Sequence, residues 1–123
     1  MLVIDRKKKG IKSLGDLCSD FGANVKFVLG PKRKFKNQNV KSLKTKIISK
    51  KFNQVVNGNT NTVYIDPMNS LRFVLRKLQI DKIKLKKDFY VFTGSSVGVV
   101  PILGKSTYTG SINKLGFVST KIS

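Results

Sequence analysis

The chain has no histidine, no glutamate and no tryptophan, and among its 123 residues only one cysteine, one alanine and four arginines. Each shortage excludes something. A lone Cys18 cannot close an internal disulfide, so a small secreted fold stapled by disulfides is ruled out. Without histidine, zinc sites built from Cys and His are ruled out as well. General acid–base chemistry would fall to Asp, Lys or Tyr. The six acids, Asp5, Asp16, Asp20, Asp66, Asp81 and Asp88, are scattered, and no Asp-x-Asp pair suggests two-metal chemistry. Cys18 sits on the apolar face of an expected helix. The chain therefore reads as no enzyme, with no cofactor, no metal and no small-molecule substrate.

Long apolar runs are missing too. The longest, Val97 to Leu103, has seven residues and contains Gly98 and Pro101. A spanning helix needs about 20 apolar residues, so no membrane segment is expected. The start, Met1-Leu-Val-Ile-Asp5-Arg-Lys-Lys-Lys9, reverses the signal-peptide order of charge before apolar run, and it is not an Arg-rich, acid-free presequence. An organellar (mitochondrial) protein with this start would be expected to be made inside the organelle. The frequency of Lys, Asn, Ile and Phe beside one Ala, Ala23, matches AT-rich coding as in many organelles and some viruses.

What is present is positive charge. Twenty-five Lys and Arg stand against six acids, giving a net charge of +19 and a pI near 10.4. From Phe21 to Ile65 there are ten cations (Lys26, Lys32, Arg33, Lys34, Lys36, Lys41, Lys44, Lys46, Lys50 and Lys51) and no acid. Such a chain repels itself unless a polyanion supplies the missing charge. The pattern is the electrostatic footprint of a nucleic-acid binder.

The length suits one domain spanning 1–123, with a basic N-terminal arm and a Gly/Ser/Thr-rich C-terminal tail from Gly104 onward. Ile11, Leu14, Cys18 and Phe21 recur at helical spacing before Gly22, and Gly15 weakens that helix. Val25 to Leu29 is β-prone, and Gly30-Pro31 turns the chain into Lys32-Arg33-Lys34-Phe35-Lys36, predicting a hairpin with a basic tip or outgoing strand. Val40 to Val56 is β-branched and basic, with Ile47, Ile48, Val55 and Val56 as expected core residues. Asn57-Gly58-Asn59 reads as a hairpin turn returning through Thr62 to Ile65. Asp66-Pro67 then opens a helix over Pro67–Gln79, with Asp66 as N-cap and Pro67 at its first position. Met68, Leu71, Leu75 and Leu78 form its stripe, with Val74 alongside. Strands are expected at Ile83–Lys86, Phe89–Phe92 and Val97–Leu103. The fold class is α+β: a small, mostly antiparallel sheet or barrel with one or two short helices and basic loops.

Candidate RNA contacts follow from the cations. Lys7, Lys8, Lys9, Lys32, Arg33, Lys34, Lys36, Lys41, Lys44, Lys46, Lys50, Lys51, Lys84, Lys86 and Lys87 can replace counterions on phosphates. Phe35 either stacks on an unpaired base or alternates inward with Phe27. Phe73 points among Arg72, Arg76 and Lys77 on the polar side of the helix, where it either contacts a base or partner or packs under a strand. Arg72 and Arg76 carry planar forks suited to bidentate contact. Gly98 to Ser106 superficially suggests a phosphate-binding loop, but five residues separate its glycines where that motif has four.

Small, Lys-rich, acid-poor α/β chains of this character resemble ribosomal proteins. Asp20-Phe21-Gly22-Ala23, Val25 to Gly30, and Gly116-Phe117 near Lys121-Ile122-Ser123 resemble strings of the universal large-subunit β-barrel protein family numbered fourteen. Of that family's Asp-Asn-Ser-Gly-Ala signature, the Asp and the Gly-Ala stand here; the middle of the chain does not align, and no residue roles carry over. The expectation is a structural constituent of the ribosome that binds rRNA and neighbouring ribosomal proteins. The alternatives are a viral or phage capsid or nucleocapsid protein that packages nucleic acid, and a DNA-binding architectural protein, for which no recognition helix is visible.

Overall fold

The computed structural model describes residues 2–3, 26–36, 39–85 and 89–123. It is a small α+β fold. In chain order the elements are β1 (Leu2–Val3), β2 (Lys26–Phe27), β3 (Lys44–Ser49), β4 (Gln54–Asn59), α1 (Pro67–Ile80), β5 (Ser106–Ile112) and β6 (Gly116–Ile122). β1 and β2 pair antiparallel by themselves. The other strands form one antiparallel sheet in the order β4-β3-β5-β6. That sheet is open and does not close into a barrel.

The β3–β4 connection is a 3₁₀ turn, Lys50–Phe52, closed by Asn53 in the left-handed conformation (φ 49°). Asn tolerates that conformation because its short polar side chain can bond locally. The expected turn at Asn57-Gly58-Asn59 instead lies inside β4, paired with Lys44 to Lys46 of β3. Gly58 serves a close crossing: a Cβ there would collide with the Ser96 carbonyl and with Val97. Asn59 N–H donates to the same Ser96 carbonyl at 3.1 Å. Thr62 to Ile65 is not a returning strand. Thr62 ends a 3₁₀ turn, Thr60–Thr62, and the following turn holds Tyr64 and Ile65 both at positive φ, 49° and 67°.

Register assigns the two faces. On the inner face Thr45 lies opposite Gly58 and Ile112, Ile47 opposite Val56 and Gly110, and Tyr108 opposite Thr120. Among the described residues the most buried are Leu43, Val63, Tyr108, Thr45, Ser49 and Thr60, rather than the four expected aliphatics. Ile47, Ile48 and Val56 are half-buried, and Val55 is exposed because its register places it on the other face. The buried hydroxyls are mostly paired. Tyr108 Oη donates to the Gly104 carbonyl (3.2 Å) and accepts from Leu103 N–H (3.0 Å). Thr60 Oγ1 donates to the Val40 carbonyl (2.6 Å) and accepts from Leu43 N–H (2.8 Å). Buried polar groups require such partners, which makes these contacts specific pins for the loops.

Two irregular segments lie on the inner face. One runs antiparallel to β4, with Ser96 at Asn59 and the Pro101 carbonyl accepting from Gln54 Nε2 (3.0 Å). It contains the expected strand Val97–Leu103, which does not form. Gly98 is left-handed (φ 71°) and Pro101 has no N–H to offer a ladder. The expected strands at Phe89–Phe92 and Ile83–Lys86 are likewise absent from residues 83–85 and 89–92, although Phe92 stacks tilted on Phe27 with 5.0 Å between ring centroids. The other segment follows β2. A Cβ on Gly30 would meet Val118 Cγ1 at 2.7 Å, and the Arg33 guanidinium lies against Gly116. The expected basic hairpin is therefore a loop along β6, since β2 takes Leu2–Val3 as its partner. The expected C-terminal tail supplies the sheet's two longest strands, β5 and β6.

α1 confirms the expected helix within one residue. Asp66 Oδ1 accepts from Met68 N–H at 2.9 Å, with Pro67 at the first position. Its far end closes with Lys82 left-handed (φ 54°), Lys82 N–H on the Gln79 carbonyl and Ile83 N–H on the Leu78 carbonyl. This is the 6→1, 5→2 closure that more often uses Gly. Met68, Leu71, Val74 and Leu78 are half-buried, while Leu75 is more exposed. No helix among the described residues is long and apolar enough to cross a membrane. The helix expected over Ile11–Phe21 lies outside the described residues.

Candidate nucleic-acid interface

The outer face of the sheet is built by alternation. Side chains two apart on a strand share a face, about 7 Å apart. Lys44 and Lys46 of β3 therefore stand on the same side as Phe117 and Lys121 of β6. One row across the sheet reads Asn57, Lys46, Ser111, Phe117, and the next reads Val55, Ile48, Thr109, Ser119. Lys44, Lys46 and Lys121 are exposed, and Phe117 is 70 % exposed. Thr109 and Ser119 hydroxyls bond each other at 2.8 Å, tying β5 to β6 on that face. No acid lies on any strand of this sheet. The result is an open face of ammonium groups, hydroxyls and one aromatic, with the aliphatic Val55 and Ile48 among them.

Lys32, Arg33, Lys34, Phe35 and Lys36 flank the β6 edge of this platform from the inner side. All are exposed, in irregular backbone. Phe35 and Phe27 are both about half exposed, and Phe27 turns to Phe92, so the two do not form an inward pair across a hairpin. Gly116 admits Arg33: its φ of 111° is one L-residues rarely adopt, and a Cβ would press on the guanidinium at 3.0 Å.

The polar side of α1 forms a second surface. Arg72, Phe73 and Arg76, joined by Asn69, Tyr64 and Ile65, line an open depression of ≈ 570 Å³. Phe73 is 62 % exposed and meets Tyr64 edge-on, centroids 6.5 Å apart. It does not pack under a strand. Arg72 Nη1 donates to Asn69 Oδ1 at 3.0 Å, and Asn69 Nδ2 donates to the Tyr64 carbonyl at 3.3 Å. That relay fixes the guanidinium relative to the turn.

The remaining predicted cations are placed apart. Lys77 Nζ forms an ion pair with Asp81 at 2.9 Å, which offsets its charge. Lys51 Nζ donates to the Lys105 carbonyl (3.0 Å) and lies 5.4 Å from the Phe52 ring centroid, which gives it a structural role at the β3–β4 turn. Lys41, Lys50 and Lys84 are exposed in turns or loops. Lys7, Lys8, Lys9, Lys86 and Lys87 lie outside the described residues. Among the described residues, no group of three or more Cys, Asp or Glu side chains comes together to hold a metal.

Sequence reasoning missed Phe117 and Lys121, whose alternation is visible only once Gly116–Ile122 is known to be a strand. It also missed Tyr64, Ile65 and Asn69, because Tyr64-Ile65 reads as β-prone. No family model, no curated protein and no solved structure matches the chain.

Proposed function

We propose that this protein is a structural RNA-binding constituent of a ribosomal subunit. The observation that carries this reading is the open sheet face, whose four strands expose cations and hydroxyls and carry no acid, with the basic loop along its β6 edge. Ammonium and guanidinium groups there replace condensed counterions on phosphates, which confers affinity without sequence selection. A structural role fits the absence of His and Glu and the large net charge of +19, which rRNA would neutralise. Neighbouring ribosomal proteins are the further partners of this reading.

Filter binding to RNA across a salt series tests the polyanion part. With about six to ten phosphates contacted, affinity should fall by roughly 10³–10⁵ between 50 and 200 mM salt. A flat dependence would refute it. Sedimentation of the native particle tests the ribosomal part. A subunit contains dozens of different proteins and rRNA, whereas a particle made of many copies of this chain would point to a capsid.

A further inference from the structure

We propose that the depression between the Tyr64-Ile65 turn and α1 seats one unpaired base of a single-stranded RNA segment, with Arg72 and Arg76 on its flanking phosphates. This deepens the RNA-binding reading and rests on it. The first support is contiguity of exposed apolar side chains around one depression. Tyr64, Ile65 and Phe73 are 63 %, 69 % and 62 % exposed, side by side, in a chain of which they are among the larger apolar residues. Contiguous exposed apolar surface rimmed by polar groups marks an interaction site. The second is backbone strain. Two successive non-glycine residues, one of them β-branched, are held left-handed, a conformation that costs free energy and clusters at ligand sites.

The third support is charge complementarity. Two of the chain's four arginines line the depression, and no acid among the described residues does. Arg72 and Arg76 are one helical turn apart and so stand on the same side of α1. The occupant must offer a flat apolar ring and negative charge together. A nucleotide does, and the volume of ≈ 570 Å³ is in the range of small-ligand sites, about 300–1,000 Å³. Aromatic rings and guanidinium planes are the groups on which splayed-out RNA bases stack. The base must be unpaired, because a paired one keeps its faces in the helical stack. The sheet platform holds backbone, and this site adds a contact that is not electrostatic.

The experiment uses the full chain and a uridine-rich single-stranded oligonucleotide carrying one central 2-aminopurine, whose fluorescence is quenched by stacking. The wild-type protein should quench it on binding. Phe73→Ala should lose the quenching and weaken binding roughly 5- to 150-fold, with the slope of affinity against salt unchanged. Phe73→Tyr should restore both, and Phe73→Leu, apolar but without a ring, should restore neither. As a second arm, the Arg72→Gln/Arg76→Gln double variant should keep partial quenching while its salt slope falls by about 1.4. If Phe73→Ala, folded by circular dichroism, binds and quenches like wild type, the site proposal is overturned and the depression becomes a protein contact. If wild-type protein itself shows no salt-dependent RNA binding, the underlying RNA reading falls with it.

Discussion

The open face of the sheet and the polar face of α1 both present cations, yet they assemble them in opposite ways. The sheet draws Lys44 and Lys46 from β3 and Phe117 and Lys121 from β6, far apart in the chain, and strand register aligns them. The helix face draws Tyr64, Ile65, Asn69, Arg72, Phe73 and Arg76 from thirteen consecutive residues, 64–76. One surface is an open sheet face furnished with lysine, a compact point charge on a flexible stem. The other is concave and furnished with two arginines, of which Arg72 is held by its hydrogen bond to Asn69. An open lysine face suits a phosphate backbone at any sequence, while a concave aromatic face suits a single inserted group. On the proposed reading, one surface supplies affinity for RNA and the other placement.

The largest effect that separates them is expected from the loop beside β6. Replacing Lys32, Arg33, Lys34 and Lys36 together by Ser should lower the salt slope of binding to the same single-stranded RNA by up to about 2.8 and leave 2-aminopurine quenching intact in the bound complex. Filter binding and fluorescence on the same preparation measure both. An unchanged slope in a folded variant would reduce the loop to a solvated surface.

Next comes the sheet's own packing. Gly58→Ala should cost about 1–3 kcal/mol in urea denaturation, because the added methyl meets the backbone of Ser96. Since Gly58 lies on the sheet and the depression is built on α1, quenching per folded molecule should persist. Smaller again is the helix cap. Asp66→Ala should cost about 1 kcal/mol, with RNA affinity per folded molecule nearly unchanged. A folded Asp66→Ala protein that no longer binds would make Asp66 a functional residue. The smallest change is expected for Lys77→Gln. Its exposed pair with Asp81 is worth a few tenths of a kcal/mol at most. With its charge already offset, RNA affinity should change less than for Arg76→Gln; equal losses would mean that both cations face RNA alike.

How much of this was legible follows from the range of the forces involved. The helix could be read to within one residue, because its cap, its proline and its apolar stripe all act within one or two turns. Three of the depression's six lining residues could be read from the same stripe, as the residues opposite it. The others could not: Tyr64 and Ile65 are β-prone, and only the fold forces them into a left-handed turn. Gly58 misled because a glycine beside asparagines signals a turn as readily as a close crossing, and what crosses here, Ser96, is far along the chain.

By itself the sequence determined the class, the charge and the helix: α+β, strongly cationic, one well-capped helix after Asp66. Those properties are sums over residues or interactions between near neighbours. Only the tertiary structure decided that the glycine-rich C-terminal residues form β5 and β6, that Val55 faces outward and Tyr108 inward, and that the basic loop lies along β6. Strand pairing and burial depend on partners remote in sequence. A shift of one residue in register exchanges every side chain between the covered and the open face.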